Sequence, residues 1–225
     1  MNNFKLEFLK MPSIRKLILV SAIVTAITFT ISCNKDDAPA PDSRLTLPAI
    51  LENNTILNIP DATGECATGV NPGMIENTIV IDKDGIINDA SKVSIELDLS
   101  HDFGGDFVVE LIAPSGASCA LIKRIGSSSD NDCDHGGNKF IVGNKLIFNS
   151  TYTNTVVADP VAAGNYAPLT GLSTFPSTVP VISLNSFLTG KDIKGIWKIK
   201  VYDYGVLDVG KLNAWKMKFD IGALK

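Results

Sequence analysis

The chain has 225 residues, of which 45% are apolar and 20% charged, and its formal net charge is −4. This composition argues against a disordered or fibrous protein, and the acidic balance argues against nucleic acid as a target. Glycine (18) and proline (11) are frequent beside many β-branched residues, which favours short strands joined by turns over long helices.

The first 33 residues have the pattern of a bacterial export signal. A basic stretch precedes the apolar run 17–31, which is too short to span a bilayer comfortably. The sequence Thr30-Ile31-Ser32-Cys33 resembles a lipobox, in which the cysteine becomes the acylated N-terminus. We therefore expect a lipoprotein signal peptide over 1–33 with lipidation at Cys33; an uncleaved anchor or a plain signal peptide is the alternative.

A flexible tether is predicted over 34–55, because Ala38-Pro39-Ala40-Pro41 favours an extended spacer. Within it, Lys35-Asp36-Asp37 resembles the signal that sends lipoproteins to the outer surface in one large group of Gram-negative bacteria. We therefore expect a lipid-anchored protein at the outer membrane or cell surface of such a bacterium. The folded part is expected over 56–225.

Alternating apolar and polar residues predict strands along the folded part. Such runs occur at Val93–Leu99, at Phe107–Leu111 and, after a Pro-Ser-Gly turn, at Ser118–Arg124. The stretch Asn149–Asn185 is rich in Thr, Pro, Ala and Gly, and we expect one or two short strands within long loops there. No long window after the leader has helical periodicity, so the sequence predicts an all-β domain.

Two C-terminal runs, 197–202 and 215–221, have the clearest alternation of apolar and polar residues. They flank Asp203–Asn213, and we expect them to pair as antiparallel neighbours that share one buried face. Their outward lysines would then protect a sheet edge against strand addition.

Three cysteines follow Cys33, and export would permit disulfides among them. Cys119 and Cys133 are the nearest pair, and closing the loop between them would contribute roughly 3 kcal/mol in the chain-entropy model. Cys66 would be left over, although a pairing that involves it stays open. Zinc is not expected, because the Cys133-Asp134-His135 cluster lacks a second close pair of ligands.

Two separated motifs carry a family pattern. The first runs from His101 through Gly105-Asp106-Phe107 to Pro114-Ser115-Gly116, with Phe107 where leucine is usual. The second comprises Gly195-Ile196-Trp197, Val201, Asp203, Asp208, Gly210, Leu212, Trp215 and Phe219. In this order the motifs resemble the P domain of proprotein convertases, the kexin- and furin-like subtilisin-type proteases, over about residues 58–221. The resemblance implies a jelly-roll-like antiparallel β-sandwich of about eight strands.

The resemblance also implies a function without catalysis. In convertases the P domain follows a subtilisin-like catalytic domain and stabilises it, and we expect no such catalytic domain in this chain. We expect a module that binds or stabilises a protein partner, with a subtilisin-like serine endopeptidase in trans as the candidate. The alternative is a glycan-binding or adhesive surface jelly roll, in which Tyr152, Tyr166 and Phe175 are the candidate contacts.

The two histidines do not indicate an active site. His101 occupies the family position before the Gly-Asp motif, where a structural role is expected, and His135 lies in a loop rich in glycine and aspartate. A nucleophile-base pair needs an oriented histidine, and no Gly-x-Ser-x-Gly elbow is present. We therefore expect no catalytic residue.

Calcium is the cofactor that the sequence favours most. Asp102, Asp106, Asp203 and Asp208 lie in two loops beside glycines, and Ca²⁺ prefers several oxygen ligands. A sandwich can bring these loops together at one end. The alternative is that the aspartates cap turns and accept hydrogen bonds from backbone amides. A second acidic run, Asp130–Asp134, is a weaker candidate because it lacks a full EF-hand loop.

Overall fold

The computed structural model describes residues 42–64, 70–127 and 137–225, and these ranges form two β-sheets packed face to face. They contain eleven strands and one short helix, α1 (Leu184–Leu188). In chain order the strands are β1 (Ala49–Asn53), β2 (Leu57–Ile59), β3 (Gly73–Ile81), β4 (Val93–His101), β5 (Phe107–Ile112), β6 (Ser118–Lys123), β7 (Leu146–Asn149), β8 (Gly164–Tyr166), β9 (Leu169–Thr170), β10 (Gly195–Asp203) and β11 (Gly210–Phe219). The predicted all-β sandwich is confirmed, and the strands beyond the expected eight are short.

The first sheet has the order β1-β11-β4-β7-β8, with β2 also paired to β11. The second sheet has the order β3-β10-β5-β6-β9. Neighbours are antiparallel except in the β6–β9 and β7–β8 pairs, which are parallel. Most connections cross from one sheet to the other, as in jelly-roll sandwiches, so loops from both sheets gather at the two ends of the molecule.

The predicted pairing of the two C-terminal runs is wrong. β10 lies between β3 and β5, whereas β11 lies between β1 and β4 in the other sheet. Trp197 and Trp215 are nevertheless both fully buried in the same core, because the two strands face each other across the sandwich. Alternation reports which side of a strand is buried, and it carries no information on which strand lies beside it. The outward lysines therefore lie on central strands and protect no edge.

The folded unit begins earlier than the predicted boundary at residue 56. β1 lies inside the segment 34–55 that was predicted as tether, and it pairs with β11 over Ala49–Asn53. Residues Asp42–Lys225 form one compact unit with its own core. β1 alternates only between half-buried and exposed positions, so its sequence has little apolar contrast with a tether. The leader lies outside the described residues, among which no helix is long and apolar enough to span a membrane.

The middle stretch contains short strands within long loops, as predicted, since it contributes only β8 and β9 before α1 begins.

A buried lysine holds part of this middle stretch in place. The Lys123 ammonium donates hydrogen bonds to the backbone oxygens of Thr174, Pro176 and Val179 at 3.0, 3.0 and 2.9 Å. A buried charge is tolerated when it is hydrogen-bonded in this way, and the loop is thereby held against β6.

Candidate functional site

The four aspartates predicted as metal ligands gather at one end of the sandwich. Asp106 ends a short 3-10 turn before β5, Asp203 ends β10, and Asp208 lies in the loop of residues 204–209 that leads to β11. The Tyr204 N–H donates a hydrogen bond to the Asp106 backbone oxygen at 2.9 Å. The two motifs therefore meet, as the sequence predicted.

A buried histidine–carboxylate contact joins the two sheets at this end. His101, at the end of β4, places Nε2 3.2 Å from Oδ2 of Asp203, and both side chains are fully shielded from solvent. The other ring nitrogen, Nδ1, lies 2.9 Å from the Phe103 backbone oxygen. The Asp203 Oδ1 atom accepts a hydrogen bond from the Gly205 N–H at 2.9 Å. His101 is therefore a packed structural residue, in agreement with the role predicted for it.

The surroundings of His101 favour its charged form. Burial alone lowers the pKa of the ring, but the Asp203 carboxylate, the Phe103 carbonyl and the Asp208 carboxylate outweigh burial and raise it. A protonated ring carries hydrogens on both nitrogens, one toward Phe103 and one toward Asp203. With the ring protonated, this 3.2 Å contact is an ion pair between the sheets.

Asp106 and Asp208 face each other across Gly205. A Cβ atom at Gly205 would lie 2.6 Å from Oδ2 of Asp208 and 2.8 Å from Oδ2 of Asp106, so only glycine fits there. Burial, together with the nearby carboxylates of Asp106, Asp203 and Asp102, raises the pKa of Asp208 to about 6, although His101 opposes the shift. The negative charge at this position is therefore poorly compensated.

A surface cleft of about 450 Å³ opens beside this group of carboxylates. It is lined by Asp102, Phe103, Gly137, Lys139, Asp159, Leu207 and Asp208. The Lys139 ammonium lies 2.6 Å from Oδ1 of Asp102 and lowers the pKa of that carboxyl group, while the Lys139 backbone N–H donates to Oδ1 of Asp159 at 3.0 Å. The cleft thus contains three carboxylates and one ammonium group.

These contacts divide the four predicted calcium ligands among different partners. Asp203 contacts His101 and Asp102 contacts Lys139, whereas Asp106 and Asp208 both approach Gly205. Ca²⁺ takes six to eight oxygen ligands, and no group of three or more candidate side chains in the described ranges is arranged to hold a metal ion. Calcium at the four carboxylates therefore stays a prediction.

The 204–209 loop combines a fixed base with an apolar tip. Its base is held by the Tyr204 and Gly205 hydrogen bonds and by the Ala62 N–H, which donates to the Gly205 oxygen at 3.0 Å. Its tip exposes Leu207 (90%), Val209 (71%) and Val206 (44%). Several exposed apolar residues on one loop are unusual in a monomeric surface and are typical of interaction sites.

The other predicted residues are less favourable as sites. Cys119 is a fully buried free thiol whose pKa is raised by burial, and Cys133, its predicted partner, lies outside the described residues. Tyr166 is buried in the core, so the prediction that it contacts a glycan is wrong. Tyr152 is half-buried. Phe175 is partly exposed and packs edge-on against Tyr204. The remaining predicted positions outside the described residues are Cys33, Cys66, Asp130–Asp134 and His135.

Sequence reasoning missed several residues of the cleft. Lys139 and Asp159 come from loops far away in the chain, and nothing in their neighbouring sequence points to this end of the sandwich. Leu207 and its valine neighbours did carry a signal, because an apolar run inside a predicted turn is unusual for a connecting loop. Gly205 was likewise a signal of close approach.

Comparisons with known proteins find similarity to parts of larger chains. The chain is 23% identical over 169 residues to leupeptin-inactivating enzyme 1 of Streptomyces exfoliatus, which covers 75% of this chain and 25% of that protein. Two solved structures of an Aeromonas sobria serine protease, one with its chaperone, align at 10% and 12% identity with TM-scores of 0.33 and 0.31. They cover 79% and 78% of this chain and 28% of each of those chains. No protein-family profile matches the chain.

The His101–Asp203 contact predicts an elevated histidine pKa that depends on the carboxylate. In the wild type we expect the His101 ring to titrate above the ordinary value of 6.5, whereas Asp203→Asn leaves burial dominant and lowers the pKa below it. Proton NMR titration of the ring C–H signals measures both values. Since the folded pKa is raised, the contact stabilises the fold below about pH 6.5, and this stability is lost as pH rises through the folded value.

An unchanged His101 titration in Asp203→Asn would contradict an ion pair. Asp220→Asn is the matched control, because Asp220 follows the opposite end of β11 and should leave the titration unaltered.

The raised pKa of Asp208 predicts that its ionisation destabilises the fold. As pH rises, the unfolded chain loses this proton near the ordinary value of 3.8 and the folded chain only near 6, so stability falls over that interval. We expect Asp208→Asn to be more stable than wild type at pH 8, by on the order of 1–2 kcal/mol, and equal to it near pH 4. Urea unfolding at both pH values measures the difference. A variant that is less stable than wild type at pH 8 would show that the carboxylate is compensated.

Proposed function

We propose that this protein is a non-catalytic, P-domain-like binding module that acts by contact with a protein partner. The observation that carries the proposal is the 204–209 loop, whose base is fixed by hydrogen bonds while its tip exposes three aliphatic side chains. A rigid loop with exposed apolar residues suits protein contact, because little conformational entropy is lost when a partner covers it.

The state of His101 supports the absence of catalysis. Its ring is shielded from solvent and has both nitrogens in contact with other groups, so it cannot exchange a proton with a substrate. Asp203 is equally buried and serves the fold. The contact resembles two members of a catalytic triad only in composition, since a triad histidine must face the reacting group.

For the partner we propose an exported subtilisin-like serine endopeptidase that the module binds and stabilises in trans. The P-domain-like motifs support this class, and the similarity to one quarter of leupeptin-inactivating enzyme 1 is consistent with a module that elsewhere belongs to a larger chain. The glycan alternative has less support, because Tyr166 is in the core and the most exposed apolar residues are aliphatic.

We further propose that the module is held at the outer membrane or cell surface through lipidation of Cys33. The support is the lipobox-like sequence and the basic-apolar leader before it. Two or three acyl chains anchor a protein firmly, whereas a single chain does not.

The anchor predicts a change of location on substitution. Expression of Cys33→Ser in a Gram-negative host should shift the protein from the membrane fraction to the soluble envelope fraction, and labelled palmitate should enter the wild type but not Cys33→Ser. Cys119→Ser is the matched control, because its thiol is buried in the core. Equal palmitate labelling of wild type and Cys33→Ser would contradict lipidation at this residue.

The proposed partnership predicts a stabilised protease. Residues 34–225, which lack Cys33 and contain the whole compact unit, are immobilised and exposed to secreted and envelope proteins of the source organism. We expect mass spectrometry to identify a retained subtilisin-like protease, and the purified protease to survive heating several-fold longer with the module present. The same measurement with calcium and with a chelator tests whether the metal contributes.

An unrelated β-sandwich of similar charge is the control for retention. If no serine protease is enriched over that control, or if the module leaves the heat inactivation rate unchanged, the proposed partnership is wrong.

A further inference from the structure

A largely buried carboxylate lines the surface cleft without a protein partner in the described ranges. Asp208 is only 8% exposed and lines the cleft, yet its side chain has no hydrogen-bond or ion-pair partner within the described ranges. Buried charged groups are normally paired, because an unsatisfied carboxylate costs free energy. The cleft is therefore arranged to receive a group that brings positive charge to Asp208.

The other carboxylates of the cleft already have partners. Asp102 contacts the Lys139 ammonium at 2.6 Å. Asp159 accepts from the Lys139 backbone at 3.0 Å. The uncompensated charge is therefore that of Asp208, and one monovalent cation suffices to match it.

The mouth of the cleft is apolar and strained. Leu207 lines the cleft with a side chain that is 90% exposed, and its backbone has φ of +72°. The left-handed region is unfavourable for leucine, by about 1 kcal/mol or more, and packing inside the protein does not repay this cost. Strain at an exposed apolar residue points to a contact with something outside the chain.

We propose that this cleft binds a lysine or arginine side chain of a protein partner, whose adjacent apolar residue packs on Leu207. The inference rests on the proposed function, since it names the chemistry of the partner. A cleft of about 450 Å³ accommodates one long side chain, and the Phe103 ring in its wall offers a face for a cation. Ammonium and guanidinium groups donate charge-assisted hydrogen bonds to a carboxylate, which is what Asp208 lacks.

A labelled peptide with alternating leucine and arginine tests the proposal directly. Its binding to residues 34–225 is measured by fluorescence anisotropy and compared with binding of the same peptide carrying glutamine in place of arginine. We expect the arginine peptide to bind about tenfold tighter, and Asp208→Asn to remove about tenfold of that affinity. Leu207→Asn, which tolerates the left-handed backbone, should weaken binding of both peptides.

Two matched variants control for general effects. Asp220→Asn removes a carboxylate at the other end of β11, and Val80→Asn removes an exposed apolar side chain on β3. Both should bind the arginine peptide as wild type does. Equal affinity for the two peptides, or wild-type affinity in Asp208→Asn, would overturn the proposal.

Calcium and the protease measurement separate the remaining outcomes. A melting temperature that rises with calcium in the wild type and not in Asp208→Asn would overturn the proposal by assigning the cation as a metal. A protease retained equally by wild type and Leu207→Asn would leave the partnership standing and refute this cleft as its contact. Peptide binding without retention of any protease would support the cleft and refute the protease as partner.

Discussion

The contact between His101 and Asp203 connects the two sheets at the end of the sandwich where the site is formed. His101 belongs to the sheet that contains β4, and Asp203 belongs to the sheet that contains β10. A buried ion pair of this kind costs desolvation free energy, and it contributes specificity when its geometry is fixed by further hydrogen bonds. The Phe103 carbonyl and the Gly205 N–H supply those bonds.

The space around this contact explains why small and apolar residues occur at fixed distances in the two motifs. The Phe107 ring packs on His101 with centroids 4.7 Å apart. Gly210 lies beside His101 in the register of β4 and β11, and a Cβ there would come within 2.6 Å of the imidazole. The motif residues therefore form one packing unit.

The sequence was sufficient for the fold class and for the end of the molecule at which the aspartates meet. Alternation identified β4, β10 and β11 and every second residue of β5, whereas the turn before β6 indicated that strand. It could not order the strands, so β10 and β11 were paired although they lie in different sheets. It also missed β1, whose five residues are half-buried and exposed in turn. The cleft combines loops from distant parts of the chain, and Lys139 gave no local signal of its contact with Asp102.

The arrangement of charge at this end follows from the sheet contact. Because Asp203 is matched by His101, and Asp102 by Lys139, Asp208 is left without a counter-charge among the described residues. Burial and the neighbouring carboxylates raise the pKa of Asp208 to about 6, and the residue lies on a loop whose leucine is both strained and exposed. A sequence selected for stability alone would place glycine or asparagine at 207 and a neutral side chain at 208. The strained leucine and the uncompensated carboxylate are adjacent on a loop with a fixed base. This combination is expected where a binding site lowers the stability of the fold.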